Sequence, residues 1–281
     1  MNASEVRRVL GQHGLAAHRD RGQNFLVDVA LARRLVELAG VAPGDRVIEI
    51  GTGLGALTRA LAERDARVWS LEVDKGLVRV LRAESLLPDG VELIHADALT
   101  FDLEGLARRV GSPLRFVANL PYSISAPVLR RLLDLRRLVV DWSVMLQKEV
   151  ALRVLASAGS REYGSLAVLH HLSVDVTRTL ELSPASFHPV PRVRSLFLRM
   201  APLAEGPLRE GELEQVERVV RAAFSKRRKT IANALCSSTS WNTQRVQAAL
   251  QACGIDASER AERVPPPRFL ELTRSLLDPE V

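Results

Sequence analysis

Five short apolar runs, Arg46 to Ile50, Val68 to Glu72, Val91 to His95, Leu114 to Asn119 and Trp142 to Gln147, alternate with longer stretches of helical periodicity. Runs this short, rich in Val, Ile and Leu, predict strands. Strands separated by helices predict an α/β fold with a parallel sheet covered on both faces. Upstream, Asp28 is placed to cap a helix that runs through Ala39 and stops at Gly40, and Ala42-Pro-Gly-Asp45 turns the chain into the first strand. Leu166 to Val176 and Arg194 to Met200 resemble longer alternating strands and predict an antiparallel edge. Met200 to Gly211, with two prolines and two glycines, reads as a linker, and beyond it Glu214 to Phe224 and Thr243 to Ala252 predict amphipathic helices. The expected organisation is an α/β domain over 1–200 and a small helical domain over 201–281.

Composition narrows the class. A chain of 281 residues suits one large unit with a smaller appendage. Its 47% hydrophobic and 26% charged residues exclude a disordered or collagen-like chain. No apolar run reaches membrane-spanning length, and Met1-Asn-Ala-Ser-Glu-Val-Arg-Arg lacks the apolar block of a secretory signal, so the expected location is the cytoplasm. Cys236 and Cys253 are too few for a disulfide framework. The spacings of His95, His170, His171 and His188 match no ordinary zinc pattern, and no metal is expected. With no coiled-coil repeat, a monomer is the default.

The net charge is +6, and lysine occurs only at positions 75, 148, 226 and 229, so arginine carries most of the positive charge. The cations gather in three places: Arg7, Arg8, Arg19 and Arg21; Arg192 and Arg194; and Lys226-Arg227-Arg228-Lys229, in a predicted helix. Separated basic patches suit a folded polyanion better than one small ligand.

Two segments carry the candidate chemistry. Gly51, Gly53 and Gly55 follow a strand and precede the helical run Ala56 to Ala62. Their G-x-G-x-G spacing differs from the G-x-G-x-x-G of dinucleotide sites, where the last glycine lets the helix approach a pyrophosphate. The spacing therefore favours S-adenosylmethionine, and the fold expectation becomes a Rossmann-like class I methyltransferase sheet. Glu72 ends the second strand, where a carboxylate can accept both ribose hydroxyls, and Asp97 in His95-Ala-Asp-Ala98 can accept from the adenine amino group. The other segment is Phe116-Val-Ala-Asn-Leu-Pro-Tyr122. An exocyclic adenine amine has its lone pair delocalised into the ring, so its alkylation needs acceptors that favour a pyramidal nitrogen. Asn119 and the carbonyl of Pro121 or Leu120 can be those acceptors, and Tyr122 offers a face for a base.

With these motifs in order, the chain resembles the small-subunit ribosomal RNA adenine N6-dimethyltransferases. Further matches are Gly22-Gln-Asn-Phe-Leu26, Met145-Leu-Gln-Lys-Glu149, Tyr163-Gly164, Phe187-His-Pro-Val-Pro-Arg-Val-Arg-Ser195 and Phe224-Ser-Lys-Arg-Arg-Lys-Thr230. The resemblance implies that Asn24 and Leu26 close over the cofactor and that Gly51, Gly53, Glu72, Val73, Asp97, Ala98 and Asn119 hold it. It implies that Asn119, Leu120, Pro121, Tyr122 and Phe187 form the catalytic site, the base lying between Tyr122 and Phe187. Arg21, Arg192, Arg194, Lys226, Arg227, Arg228 and Lys229 would bind RNA. The implied reaction is dimethylation of two neighbouring adenosines in a 3′-terminal hairpin of 16S RNA within the small (30S) ribosomal subunit. Thr52 departs from the family's usual proline, and Ser123 from a frequent asparagine. Other readings use the same surfaces: an assembly checkpoint, a nucleic-acid-binding protein on a methyltransferase scaffold, or a large-subunit RNA methylase.

Overall fold

The computed structural model describes residues 1–17, 22–226 and 228–278. Among these the chain divides into two compact units, one of Met1–Ala151 with Val176–Pro202 and one of Leu152–Asp175 with Leu203–Val281. The expected break after residue 200 falls two residues before the observed one. The larger difference is the segment 152–175, which groups with the C-terminal helices.

In the first unit, α1 (Ala3–Gln12) and β1 (Phe25–Leu26) precede α2 (Val29–Leu38). Asp28 caps α2 as expected, its side chain accepting from the Leu31 N–H at 2.9 Å. Then come β2 (Arg46–Ile50), α3 (Ala56–Ala62), β3 (Arg67–Glu72), α4 (Lys75–Ala83), β4 (Glu92–His95), α5 (Leu103–Val110), β5 (Leu114–Asn119), α6 (Ser125–Asp134), β6 (Asp141–Gln147) and α7 (Lys148–Leu155), whose last four residues belong to the second unit. The five expected strands lie within a residue of their predicted bounds. They run parallel in the order β4-β3-β2-β5-β6. Two further strands, β7 (Val174–Leu182) and β9 (Ser195–Pro202), extend the sheet beyond β6, and β9 runs antiparallel to β6. The short β8 (Phe187–His188) pairs antiparallel with β1.

Side chains of the central strands are buried on both faces. Val47, Val68 and Val117 pack with Leu35 and Val36 of α2 and with Leu57 and Leu61 of α3. Each such fully buried aliphatic side chain contributes roughly 1.5–3 kcal/mol. A second cluster joins Val6, Val9 and Leu10 of α1 to Phe25, Leu54, Leu77 and Val80. The helix α1 was not expected, although Asn2 and Glu5 form a capping box at its start. Near the amino ends of the strands, Arg115 binds Asp45 at 2.8 Å and also Asp141, which Arg199 contacts at 2.6 Å. The carboxyl ends are left for a ligand.

In the second unit, α8 (Ser165–His171) occupies most of the run expected to be a strand, and β7 begins only at Val174. The first four residues of that run, Leu166 to Leu169, are all apolar and have no period to separate helix from strand, so packing decides. Here Ala167, Val168 and Leu169 are buried, and α8 contacts α9 (Glu212–Ala223) and α12 (Pro266–Leu277). This packing explains why 152–175 joins the C-terminal unit. Tyr163 donates its hydroxyl to the Val264 carbonyl at 2.8 Å and meets Phe224 edge-on, 6.0 Å between centroids. The helices α10 (Ile231–Ser238) and α11 (Thr243–Ala252) complete the unit. The expected helix through the basic segment is corrected: Lys226, Arg228 and Lys229 lie in the turn between α9 and α10. Ser225 turns back to the Ala222 carbonyl, and Thr230 caps α10, so the cations fall between two boundaries.

Candidate active site

A cavity of about 550 Å³ opens at the carboxyl ends of β2, β3 and β5 and is bounded by the β4–α5 turn. The turn after β2 forms its floor. Gly51 has φ +86°, and a Cβ there would stand 3.2 Å from the Asn119 carbonyl oxygen. Gly53, at φ +56°, would press a Cβ to 3.2 Å from the Phe25 ring. These positions require glycine for conformation and for close approach. The turn is pinned to β3 because Gly51 and Thr52 both donate their N–H groups to the Leu71 carbonyl, at 2.9 and 3.3 Å.

Glu72 ends β3 and is buried. Its Oε2 accepts the Gly53 N–H and its Oε1 the Asp74 N–H, each at 2.9 Å. Burial pushes the carboxyl above its ordinary range, and these backbone bonds oppose that rise. Backbone N–H groups thus fix the orientation of the carboxylate, whose oxygens act only as acceptors and suit a diol. Asp97 lies exposed at the rim beside buried Ala98, and its Oδ1 accepts from Leu99 N–H at 2.8 Å. Arg131 of α6 holds this turn by donating to the carbonyls of Ala98 and Phe101, the latter at 2.8 Å. No local sequence signal marked Arg131 for that role. Val73, half exposed, lines the same wall.

Beneath the glycine turn lies a chain of buried hydroxyls. Thr52 Oγ1 is 2.6 Å from Ser70 Oγ, and Ser70 and Thr58 each donate to Glu49 Oε2 at 2.6 Å. Glu49 is fully buried, and its Oε1 has no hydrogen-bond partner among the described residues. Burial pushes the Glu49 carboxyl up to about 7, against the two hydroxyl bonds and the cation of Arg59; nearby Glu72 adds to the rise. Thr52 thus ties the turn to β3 and, through Ser70, to β2.

The acceptor side is built at the end of β5. Asn119 Nδ2 donates to the Asn24 carbonyl at 3.1 Å, and Asn24 Nδ2 donates to the Gly22 carbonyl at 3.1 Å. A backbone carbonyl accepts only, so it fixes which way the Asn119 amide faces and leaves Oδ1, among the described residues, as a free acceptor. The Pro121 carbonyl, however, already accepts from Ile124 N–H and from Ser125 Oγ, both at 3.1 Å. Its lone pairs are committed, so of the two expected carbonyls the Leu120 oxygen is the one left. Tyr122, half buried, lines the cavity, and its hydroxyl lies 3.1 Å from Ser195 Oγ. Phe187 is placed differently from its expected role. It is 2% exposed, pairs with Leu26, belongs to the core cluster and does not line the cavity. Asn24, Leu26, Gly51, Gly53, Glu72, Val73, Asp97, Ala98, Asn119, Leu120, Pro121 and Tyr122 are therefore brought together, and Phe187 is not.

Of the expected RNA contacts, Arg192 and Arg194 are exposed on the loop between β8 and β9, where Arg194 pairs with Glu181 at 2.8 Å. Lys226, Arg228 and Lys229 are exposed in the second unit. Arg19, Arg21 and Arg227 lie outside the described residues. Among the described residues no cluster of His, Cys, Asp or Glu could hold a metal ion, both cysteines are free, and no helix is long and apolar enough to cross a membrane.

Residues 14–278 match the ribosomal RNA adenine dimethylase family. The chain belongs to this family. Similar curated relatives include the ribosomal RNA small subunit methyltransferase A of Geobacter sulfurreducens, 42% identical over 94% of this chain and 96% of that protein. That of Magnetococcus marinus is 38% identical over 96% of this chain and 95% of that protein. A dimethyladenosine transferase from Plasmodium falciparum shares the fold, with a TM-score of 0.71 at 23% identity over 87% of this chain and 94% of that one. The 23S rRNA methyltransferase ErmE gives 0.63 at 29% identity over 91% and 100%. As a ribosomal RNA adenine dimethylase, the protein is a methyltransferase whose methyl donor is S-adenosylmethionine. The residues present fit that donor: a close-packed glycine turn, an oriented carboxylate on β3 and a carboxylate at the rim.

Proposed function

We propose that this dimethylase acts on the small ribosomal subunit, converting two adjacent adenosines of a 3′-terminal hairpin in 16S RNA to N6,N6-dimethyladenosine. The names of the relatives support the choice of subunit. We further assign the cytoplasm as its location and a monomer as its working state.

Bound S-adenosylmethionine supplies an electrophilic methyl group on a sulfonium. Glu72 accepts the ribose hydroxyls, and Asp97 accepts from the adenine amine. Asn119 Oδ1 and the Leu120 carbonyl accept the two N6 hydrogens of the target adenosine, which favours a pyramidal nitrogen with its lone pair free for bonding. Held there, the donor would supply the methyl carbon for a new bond to N6, the electrons of its carbon–sulfur bond leaving with sulfur and the surplus N6 proton passing to water. Positioning lowers the barrier, so no general base is required. Tyr122 stacks on the flipped base, an interaction worth roughly 1–3 kcal/mol. After the first transfer one hydrogen remains on N6, and rotation about the C6–N6 bond offers it to the same acceptors. Exposed Ser123 leaves room for the methyl already added.

The observation that carries this reading is the Asn119 amide, whose Nδ2 is spent on the Asn24 carbonyl and whose Oδ1 has no partner among the described residues. Asn119→Ala should lower the single-turnover transfer rate on the order of 100-fold, as losing one transition-state hydrogen bond does, while RNA affinity stays within about threefold. Equal loss of rate and RNA affinity would remove Asn119 from the chemistry.

A further inference from the structure

Between β8 and β9 the chain runs His188-Pro-Val-Pro-Arg-Val-Arg-Ser195, and both ends of this loop are fastened to residues that line the cavity. At its start His188 and Phe187 pair with Phe25 and Leu26. At its end Ser195 meets the Tyr122 hydroxyl at 3.1 Å. Behind it the Lys148 N–H donates to the Arg194 carbonyl at 2.9 Å, and Glu181 binds Arg194 and Lys148 at 2.8 and 3.2 Å.

Between these anchors Pro191 is buried and seats the loop, while Val190, Arg192 and Val193 face solvent. Val190 is 64% exposed and Val193 44%, and Val190 is the most exposed large hydrophobic residue among those described. Pro189 and Pro191 fix φ on either side of Val190, which limits its freedom to fold back onto the protein. Arg192 is exposed between the valines and has no hydrogen-bond or ion-pair partner among the described residues. An aliphatic tip beside a free guanidinium fits RNA better than water. The cation can meet a phosphate, and the apolar side chains can fill the gap left when a base leaves its stack.

We propose that Val190 and Val193 form a wedge that enters the RNA base stack beside the target adenosine and frees it to turn toward Tyr122, while Arg192 holds the adjoining phosphate. This deepens the function proposed above and rests on an adenosine in structured RNA being the acceptor.

The test uses the full chain and an RNA to which the wild-type protein has first been shown to transfer methyl groups. If small-subunit RNA proves not to be that substrate, the substrate reading fails, and the wedge is then tested on the RNA that is methylated. 2-Aminopurine replaces the target adenosine, because its fluorescence rises when it leaves the stack, and anisotropy of an end label gives RNA affinity. In V190S/V193S both substitutions are on exposed side chains, and an unchanged dissociation constant for S-adenosylhomocysteine checks the fold. The expected result is a fluorescence rise reduced about fivefold or more at saturating protein, with RNA affinity changed less than about threefold. Transfer to the matching adenosine RNA should fall about tenfold, and V190I/V193I should restore both signals. V190S alone should give a smaller change in the same direction. An undiminished fluorescence rise in V190S/V193S overturns the proposal. So does a reduction that merely tracks an equal loss of RNA affinity, which would make the loop a docking contact.

Discussion

The glycine turn that floors the cavity and the loop fastened to two parts of its lining satisfy their polar groups in opposite ways. In the Gly51 to Gly55 turn the N–H groups of Gly51, Thr52 and Gly53 are taken up by β3, and the Thr52 hydroxyl reaches Glu49 through Ser70. The Pro189 to Arg194 loop is tied at its ends, buries Pro191, and presents Val190, Arg192 and Val193 to solvent. A turn that must hold one small molecule in one pose is internally saturated, so it does not reorganise when the cofactor arrives. A loop that must meet a large polyanion keeps its charge and apolar surface available. The basic turn between α9 and α10 follows the second pattern, with Lys226, Arg228 and Lys229 exposed.

The saturated turn should respond most strongly to a change at its buried end. Burial holds the Glu49 carboxyl near 7, so the folded chain keeps a proton that the unfolded chain releases near 4.5. The group's contribution to stability is therefore full below about pH 4.5 and is lost as pH rises through about 7, a loss of order 3 kcal/mol. Glu49→Gln keeps the acceptor for Ser70 and Thr58 and removes the titration. Denaturant unfolding at pH 5 and pH 8 should show the wild type losing stability relative to this variant; parallel pH dependence would mean that Glu49 is already ionised in the folded chain.

Glu72→Ala should come next, weakening S-adenosylmethionine about 10- to 100-fold by calorimetry through loss of charge-assisted hydrogen bonds. RNA affinity should barely move, and an unchanged cofactor constant would detach Glu72 from the ribose. The open basic turn should give the smallest effect per residue. Replacing Lys226, Arg228 and Lys229 with Gln should flatten the slope of log affinity against log salt by about 0.7–0.9 for each phosphate no longer neutralised, with cofactor binding untouched. An unaltered slope would make that turn a solvated surface.

The parallel strands, the glycine turn and the carboxylates at strand ends were legible because each has a local mark: an apolar run closed by a turn residue. Asn119 was legible for the same reason, but the state of its neighbour was not. Whether the Pro121 carbonyl is free depends on the Ile124 N–H and the Ser125 hydroxyl curling back onto it. Phe187 carries the same local sequence whether it faces a base or a core, and only the pairing of β8 with β1 decides. The run through Leu166 to Leu169 could not declare its period, and its burial against α9 and α12 made it a helix. Arg131 and Ser195 act through contacts 30 or more residues away in sequence, for which a single chain gives no signal. The capping box of α1 was readable and its helix could have been predicted from it.

The most direct test of the account is transfer of labelled methyl groups from S-adenosylmethionine to unmethylated small subunits, large subunits and naked RNA, followed by nucleoside analysis. The expected product is N6,N6-dimethyladenosine at two adjacent positions of small-subunit RNA. Label confined to large-subunit RNA, or tight RNA binding with no label anywhere, would contradict it.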